Sequence, residues 1–359
     1  MAVERVRAID VAEFERGFLD ANRPVVLLDA GVDGWRIKTH WVTPDGEINW
    51  SYLLQEYGHL QVPVRHAVLP EGTCERSGRP SESGFSPTSE SATMTLAEFK
   101  RTQWRASSDP KPYLKDWHAC LDLNDAGLFR TPLYFRDDWL NDWLSTKPRA
   151  SDYRFVYLGP VGSRTGVHID VVHSNSWSAQ VAGCKRWLLL EPSKAHLVEG
   201  ANGICCVESF PEDVRPLCIE VIQSPGEIIF VPSGWYHCVE NLTDSLSANV
   251  NWVDSASLRR SWNHLLKEYR IAEHYIEDLK PLTGASEFAR LVDRNAKLQC
   301  GMNKADFLEM VQVVMGIEEK TDMDSIDVTT ESNHLRRRRT RYGQEFLAWS
   351  RDTSDQILY

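Results

Sequence analysis

Between residues 152 and 252 short β-rich segments follow one another with no crossover helix of useful length between them. The pattern predicts strands at 154–158, 167–171, 177–181, 186–190, 219–222, 227–231, 236–240 and 246–252. Turn residues separate most of them: Gly159-Pro160, Gly183, Pro225-Gly226 and Pro232-Ser233-Gly234. Parallel strands need helical crossovers, so short strands at this spacing indicate an antiparallel barrel or jelly roll. The expected fold class is mainly β with α additions.

Upstream the elements are mixed. The sequence predicts a short amphipathic helix over 11–21, an apolar strand over 23–28 and a helix over 52–57, with Trp35, Trp41 and Trp50 in loop-rich chain. Residues 76–92 are dominated by Ser, Gly and Pro, the composition of a mobile surface loop or disordered insertion. Thr93 or Thr95 then caps the start of a helix. After Trp252 the period becomes helical: Leu258, Trp262, Leu265, Tyr269, Ala272, Ile276 and Leu279 form one apolar stripe, with Asp254 or Ser255 as cap. A second helix is expected over 305–315, with Phe307, Met310, Val311 and Val314 inward and Gly316 as stop signal. These helices pack on the barrel or on a second copy of the chain, as a homodimer; the sequence leaves both open. The expected organisation is an N-terminal α/β embellishment (1–130), the barrel core with a flanking helix (131–270), and a C-terminal helical region with an Arg-rich tail (271–359).

A net charge of −11 gives the surface as a whole no attraction for nucleic acid and fits an enzyme with a basic or neutral protein substrate. The local exception is the run Arg336, Arg337, Arg338, Arg339 and Arg341. It reads as a solvated helix face beside the acidic stretch 318–327, the other reading being a nuclear import signal or nucleic-acid contact. None of the eight cysteines forms a C-x-x-C pair, which removes zinc-ribbon and thioredoxin-like classes. The first residues carry no long apolar region, and no run of about 18 apolar residues occurs. The expectation is a soluble, reducing, cytoplasmic setting with no membrane contact, and a nuclear fraction if the arginine run is an import signal.

The chemistry concentrates in His168-Ile169-Asp170 and His237. Residues i and i+2 of a strand share a face, so His168 and Asp170 can reach one metal ion together. His237, from a distant strand, supplies a third ligand if the sheet closes. Two imidazoles and one carboxylate on one side of an ion make the facial triad of non-haem Fe(II) oxygenases. H-x-D alone occurs often by chance, and a lone His or Asp is usually a surface or hydrogen-bonded residue. His173 has an odd offset from His168, hence the opposite strand face, and is left out. Along 246–252, Leu246, Ala248, Val250 and Trp252 alternate with Ser247, Asn249 and Asn251. The polar face lines either a cosubstrate pocket or solvent, and periodicity does not separate the two.

These segments resemble the JmjC family in order and spacing. The matching stretches are Thr165 to Asp170, Ser176 to Trp187, Pro225-Gly226-Glu227, Val231 to His237 and Asn249 to Trp252. The runs Tyr134 to Asn141 and Asp152 to Pro160 further resemble a branch that hydroxylates a lysine of a translation termination (release) factor. The resemblance implies a cupin-like double-stranded β-helix (jelly roll) and an enzyme using Fe(II), 2-oxoglutarate and dioxygen (O2). It implies His168, Asp170 and His237 as metal ligands. Lys185 would pair with the distal carboxylate of 2-oxoglutarate, and Thr165 would be its hydroxyl partner. Simple alternation puts Thr165 on the opposite face from His168, so that role rests on the resemblance. Ser178, Asn249 and Asn251 match pocket positions that vary in type. Trp177, Trp187 and Trp235 read as ordinary core.

Three other readings remain. An N-methyl-lysine (histone) demethylase shares the iron chemistry, but no chromatin-reading zinc pattern accompanies it. A non-catalytic cupin-like scaffold has no need of the ligands together with Lys185. A small-molecule cupin does not call for the Thr165 and Lys185 pair.

Overall fold

A computed structural model describes residues 2–7, 9–67, 89–109, 111–148, 151–200, 205, 207, 209–320 and 330–354. In chain order the strands are β1 (Glu4–Arg7), β2 (Val25–Leu28), β3 (Gln61–Ala67), β4 (Ser89–Thr95), β5 (Tyr113–Trp117), β6 (Arg154–Gly159) and β7 (Arg164–His168). They continue as β8 (Asn175–Ala182), β9 (Lys185–Leu190), β10 (Ile219–Gln223), β11 (Ile228–Val231), β12 (Tyr236–Asn241) and β13 (Ser245–Trp252). One sheet runs β1-β2-β11-β8-β13-β6-β5-β3-β4 and the other β10-β9-β12-β7. The eight strands from β6 to β13 thus divide four and four, each sheet interleaving strands from both halves of the run. This is the double-stranded β-helix, a jelly roll. The N-terminal strands widen one of its sheets: β2 pairs antiparallel to β11, and β3, β4 and β5 extend beyond β6.

The alternation along β13 shows how the sheet is used. Leu246, Ala248, Val250 and Trp252 are buried on one face, and Ser247, Asn249 and Asn251 are buried on the other. The polar face is therefore interior, not solvent-facing. It continues onto β6 through the pairs Ser247–Tyr157 and Asn249–Phe155. Across the opposite sheet, the row Lys185, Trp187, Leu189 pairs with Asn241, Val239, His237. Trp187, Leu189, Val239, Val221, Ile229 and Val231 share one apolar cluster. One stretch of the interior is thus greasy and another polar.

Several local expectations are corrected. The strand expected over 167–171 lies earlier, at Arg164–His168, and the chain leaves it through left-handed Val172 (φ 55°) and His173 (φ 49°). Residues 89–92, expected in an irregular insertion, belong to β4; residues 76–88 lie outside the described set. Thr95 does form a capping box with Glu98. The apolar stripe begins at helix Leu258–Tyr275 with Ser257 at the cap position, and Ile276 breaks it into a separate turn Glu277–Leu279. Asp254 instead accepts the Ser257 and Ala256 amides in the turn just before. Gly316 does not stop its helix, which runs Lys304–Lys320.

Two compact units divide the chain: residues 1–133, 153–170 and 176–251 in the first, and 134–152, 171–175 and 252–359 in the second. The second is helical. Its stripe residues Leu258, Trp262, Leu265 and Ala272 are buried within the single chain, so no second copy is needed to cover them. The arginine run lies on helix Thr330–Ser354, and only part of it is a solvated face. Arg338 and Arg339 are buried, Arg339 against Asp137 (3.0 Å) and Asp142 (2.7 Å), Arg338 against Asp137 (3.4 Å). The acidic residues 321–327 lie outside the described set. Among the described residues no helix is long and apolar enough to cross a membrane.

Candidate metal centre

His168 ends β7 and His237 sits near the start of β12, and the two residues pair directly across the sheet. Their rings lie 4.2 Å apart between centroids. Asp170 follows two residues later, beyond the strand end, with its Oδ2 3.9 Å from His237 Nε2. A ligand atom from each of the three lies within 4.8 Å of the others, and this is the one such His/Cys/Asp/Glu group among the described residues. The convergence expected from strand alternation is therefore reached in a different way. Asp170 is aimed by the chain leaving the strand, not by the pleat.

Hydrogen bonds prepare these donors. His168 Nδ1 donates to the Gly166 carbonyl (2.8 Å) and His237 Nδ1 to the Trp235 carbonyl (3.1 Å). A carbonyl only accepts, so each Nδ1 carries a proton, which leaves Nε2 as the ring atom open to a metal. Burial, then the neighbouring His237, hold the His168 pKa well below its usual range. Burial works against charge on Asp170. Even so, His237, His168 and bonds from Ser176 and Asn251 keep the carboxyl below the usual carboxylate range. Neutral imidazoles and an ionised carboxylate are what a divalent ion requires of its ligands. The donor set fits Fe(II).

The remaining predicted residues fall around this group. Lys185, at the start of β9, is 1% exposed. Its ammonium donates to Ser247 Oγ at 2.5 Å, and burial followed by the charge of Lys115 pushes its pKa down to about 7. A buried ammonium bonded to one hydroxyl is costly, and an incoming carboxylate would offset that cost. Asn249 Nδ2 donates to the same Ser247 Oγ (3.0 Å), so it braces the lysine's partner. Asn251 serves the Asp170 carboxylate. Ser178 Oγ is buried without a hydrogen-bond partner.

Thr165 shows where alternation fails. His168 pairs with His237 and Thr165 with Val239, so three steps on β7 match two on β12. This β-bulge absorbs one residue and brings Thr165 back to the face of His168. His173 is not among the grouped ligand residues and stacks on His264 with centroids 3.8 Å apart. It is excluded by a left-handed turn, where the sequence argument invoked strand parity. Of the three tryptophans, Trp177 packs on Trp35 and Phe129, and Trp235 Nε1 donates to the Asn22 carbonyl. Trp187 is core as expected, in the apolar cluster of Leu189 and Val239, and in addition stacks on His237.

Four further residues went unseen in the sequence. Tyr157 faces Ser247 across the β6–β13 pair and donates its hydroxyl to Asp116 (2.9 Å). Arg65 bonds the other Asp116 oxygen (3.1 Å), and the Lys115 ammonium lies 5.3 Å from the Tyr157 ring centre. Tyr157 could have been found by alternation along β6; nothing local marks Lys115, Asp116 or Arg65.

A cupin-like domain model matches residues 11–257. That span holds every residue of the site. The chain belongs to the cupin-like JmjC family. Among its JmjC relatives, the 2-oxoglutarate and iron-dependent oxygenase JMJD4 of Homo sapiens is 33% identical, over 86% of this chain and 74% of that protein. The same-named protein of Mus musculus is 35% identical over 77% of this chain and 66% of its own length. The arginine-specific demethylase JMJ20 of Arabidopsis thaliana is 35% identical over 85% of this chain and 68% of its own length. The chain thus spans about two thirds to three quarters of these JmjC relatives.

Proposed function

We propose that this JmjC chain is an Fe(II)- and 2-oxoglutarate-dependent oxygenase that hydroxylates a lysine carbon of a translation release factor. The observation that carries the enzyme class is the pairing of a two-His, one-carboxylate cluster with a buried lysine whose ammonium donates to a serine hydroxyl. Bound together, iron and 2-oxoglutarate couple decarboxylation of the oxo acid to succinate with insertion of one oxygen atom of O2 into a C–H bond.

In this reading His168, Asp170 and His237 hold the metal on one side. Lys185, oriented by Ser247 and Asn249, takes the distal carboxylate of the cosubstrate. Thr165 shares the face of His168 and supplies a hydroxyl. Trp187 and the apolar row beside it keep water from the buried side of the metal. The choice of a lysine in a release factor rests on the sequence resemblance, and the relatives named JMJD4 support the oxygenase class. The JMJ20 relative favours a second reading, demethylation of N-methyl-arginine by the same chemistry.

The deciding experiment incubates purified protein with Fe(II), 2-oxoglutarate and a recombinant release factor, followed by mass spectrometry. One added oxygen on a lysine, lost in His168→Ala, supports the proposal. Formaldehyde release from methyl-arginine peptides, without lysine oxidation, would replace it with the second reading. A protein that binds neither metal nor 2-oxoglutarate would return the scaffold reading.

A further inference from the structure

On β5, Leu114 pairs with Leu158 and Trp117 with Val156, so Lys115 and Asp116 together face the single residue Tyr157. Asp116 carries φ 60°, a left-handed conformation uncommon outside glycine. Bulges of this kind re-aim side chains beside active sites. Here the Asp116 carboxylate is engaged on both oxygens, by Tyr157 and by Arg65. The Lys115 ammonium receives no such partner: among the described residues no carboxylate lies within salt-bridge reach of it.

The position of Lys115 follows from the ring it approaches: Tyr157 faces Ser247 across the β6–β13 pair, and the Ser247 hydroxyl holds Lys185. Lys115 and Lys185 also flank one ring, their ammonium groups 5.3 Å and 5.8 Å from the centre of Tyr157. A cosubstrate that chelates a metal at the triad and ends at Lys185 must fill the space these groups face. Without it, two ammonium groups approach one aromatic ring, and an acidic ligand adds counter-charge beside both.

We propose that Lys115 is a second cationic anchor for the dicarboxylate cosubstrate, set beside Tyr157 along the space that Lys185 closes. The assignment rests on the oxygenase reading above and deepens it, because it makes the site selective for a 2-oxo acid with two carboxylates. Lys115 is a binding residue here, and the strained bulge is the device that delivers it.

The test uses the full chain loaded anaerobically with Mn(II), a redox-silent stand-in for iron, and titrates 2-oxoglutarate by calorimetry. Metal affinity is followed separately by Mn(II) electron paramagnetic resonance. Lys115→Met and Lys115→Gln are expected to weaken 2-oxoglutarate by about tenfold or more. They should leave Mn(II) affinity unchanged, since His168, Asp170 and His237 are intact. Lys115→Arg should recover most of the loss, and the two neutral variants should melt no lower than wild type. Wild-type affinity for 2-oxoglutarate in the neutral variants would overturn the anchor and leave the oxygenase reading intact. Joint loss of metal and cosubstrate, or lowered melting in both neutral variants, would assign a structural role instead and overturn it likewise. A wild type that binds Mn(II) but no 2-oxoglutarate would overturn both readings.

Discussion

The Nδ1 atoms of His168 and His237 are tied to backbone carbonyls two residues upstream, and Asn251 is tied to Asp170. Bonds of this second layer orient ligands and raise their basicity, and their loss typically costs 10- to 100-fold in metal affinity. Asn251→Ala is therefore expected to weaken metal binding by roughly 10- to 100-fold, read by competition with a chromophoric chelator. An unchanged affinity would make that bond incidental. Lys185 carries a pH dependence. Its pKa falls from about 10.4 in an unfolded chain to about 7 in the fold. Between these values the unfolded state holds the extra proton, so the stability of the ligand-free protein rises with pH across that window. Below the folded value the full cost of burying the charge is present. Denaturant titrations from pH 7 to pH 10 should show this rise for wild type and a smaller one for Lys185→Met; equal slopes would refute it. Binding of 2-oxoglutarate restores the lysine's charge, so affinity should fall, with proton uptake, as pH rises above 7.

At the scale of elements, the turns and irregularities between strands decide which side chains enter the barrel. Gly183 joins β8 to β9 with φ +75°, and a Cβ there would lie 2.1 Å from the Asp244 carbonyl oxygen. Left-handed strain alone costs roughly 1–2 kcal/mol in a non-glycine residue, and the backbone oxygen cannot move aside cheaply. Gly183→Ala should lower the unfolding free energy by at least that much, read by denaturant titration. It should also weaken 2-oxoglutarate more than metal, because β9 begins with Lys185 two residues on while the ligands sit on other elements. Equal loss of both would point to general unfolding. The β7 bulge has the opposite character, since it repairs a parity mismatch and returns Thr165 to the metal face. The one on β5 delivers Lys115 and Asp116 together. Pleat alternation separates the two faces of β13 correctly from sequence, and fails at β7, which carries an extra residue.

Over the whole molecule, contacts far apart in sequence hold the second compact unit together. Arg339 reaches Asp137 across 202 residues, beside Asp142 and the carbonyl of Arg136. Removing one member of a buried pair leaves the other uncompensated, typically at about 3–5 kcal/mol. Arg339→Ala should therefore destabilise this unit and expose Thr330–Ser354 to hydrogen exchange. Arg341→Ala, whose partner Glu345 shares the helix surface, should leave stability essentially unchanged. Equal exchange in both variants would mean that Arg339 does not anchor the helix. The five arginines look alike in the sequence because burial is a property of what packs on a helix, not of its own residues.

Local order was legible in the chain itself. Strand segments, turn glycines, the two faces of β13 and the triad candidates His168, Asp170 and His237 follow from alternation, spacing and residue chemistry, which act over a few neighbouring residues. Lys185 came from the family resemblance, and the burial of the polar face of β13 from the fold. Tertiary structure alone decided the rest. It set the extra residues that realign Thr165 and Lys115, the departure of Asp170 from its strand and the stacking of Trp187 on His237. It also divided the arginine run into solvated and buried members. Each depends on where two distant segments meet, and hydrogen-bond register, bulges and charge pairing are settled only when both partners are in place.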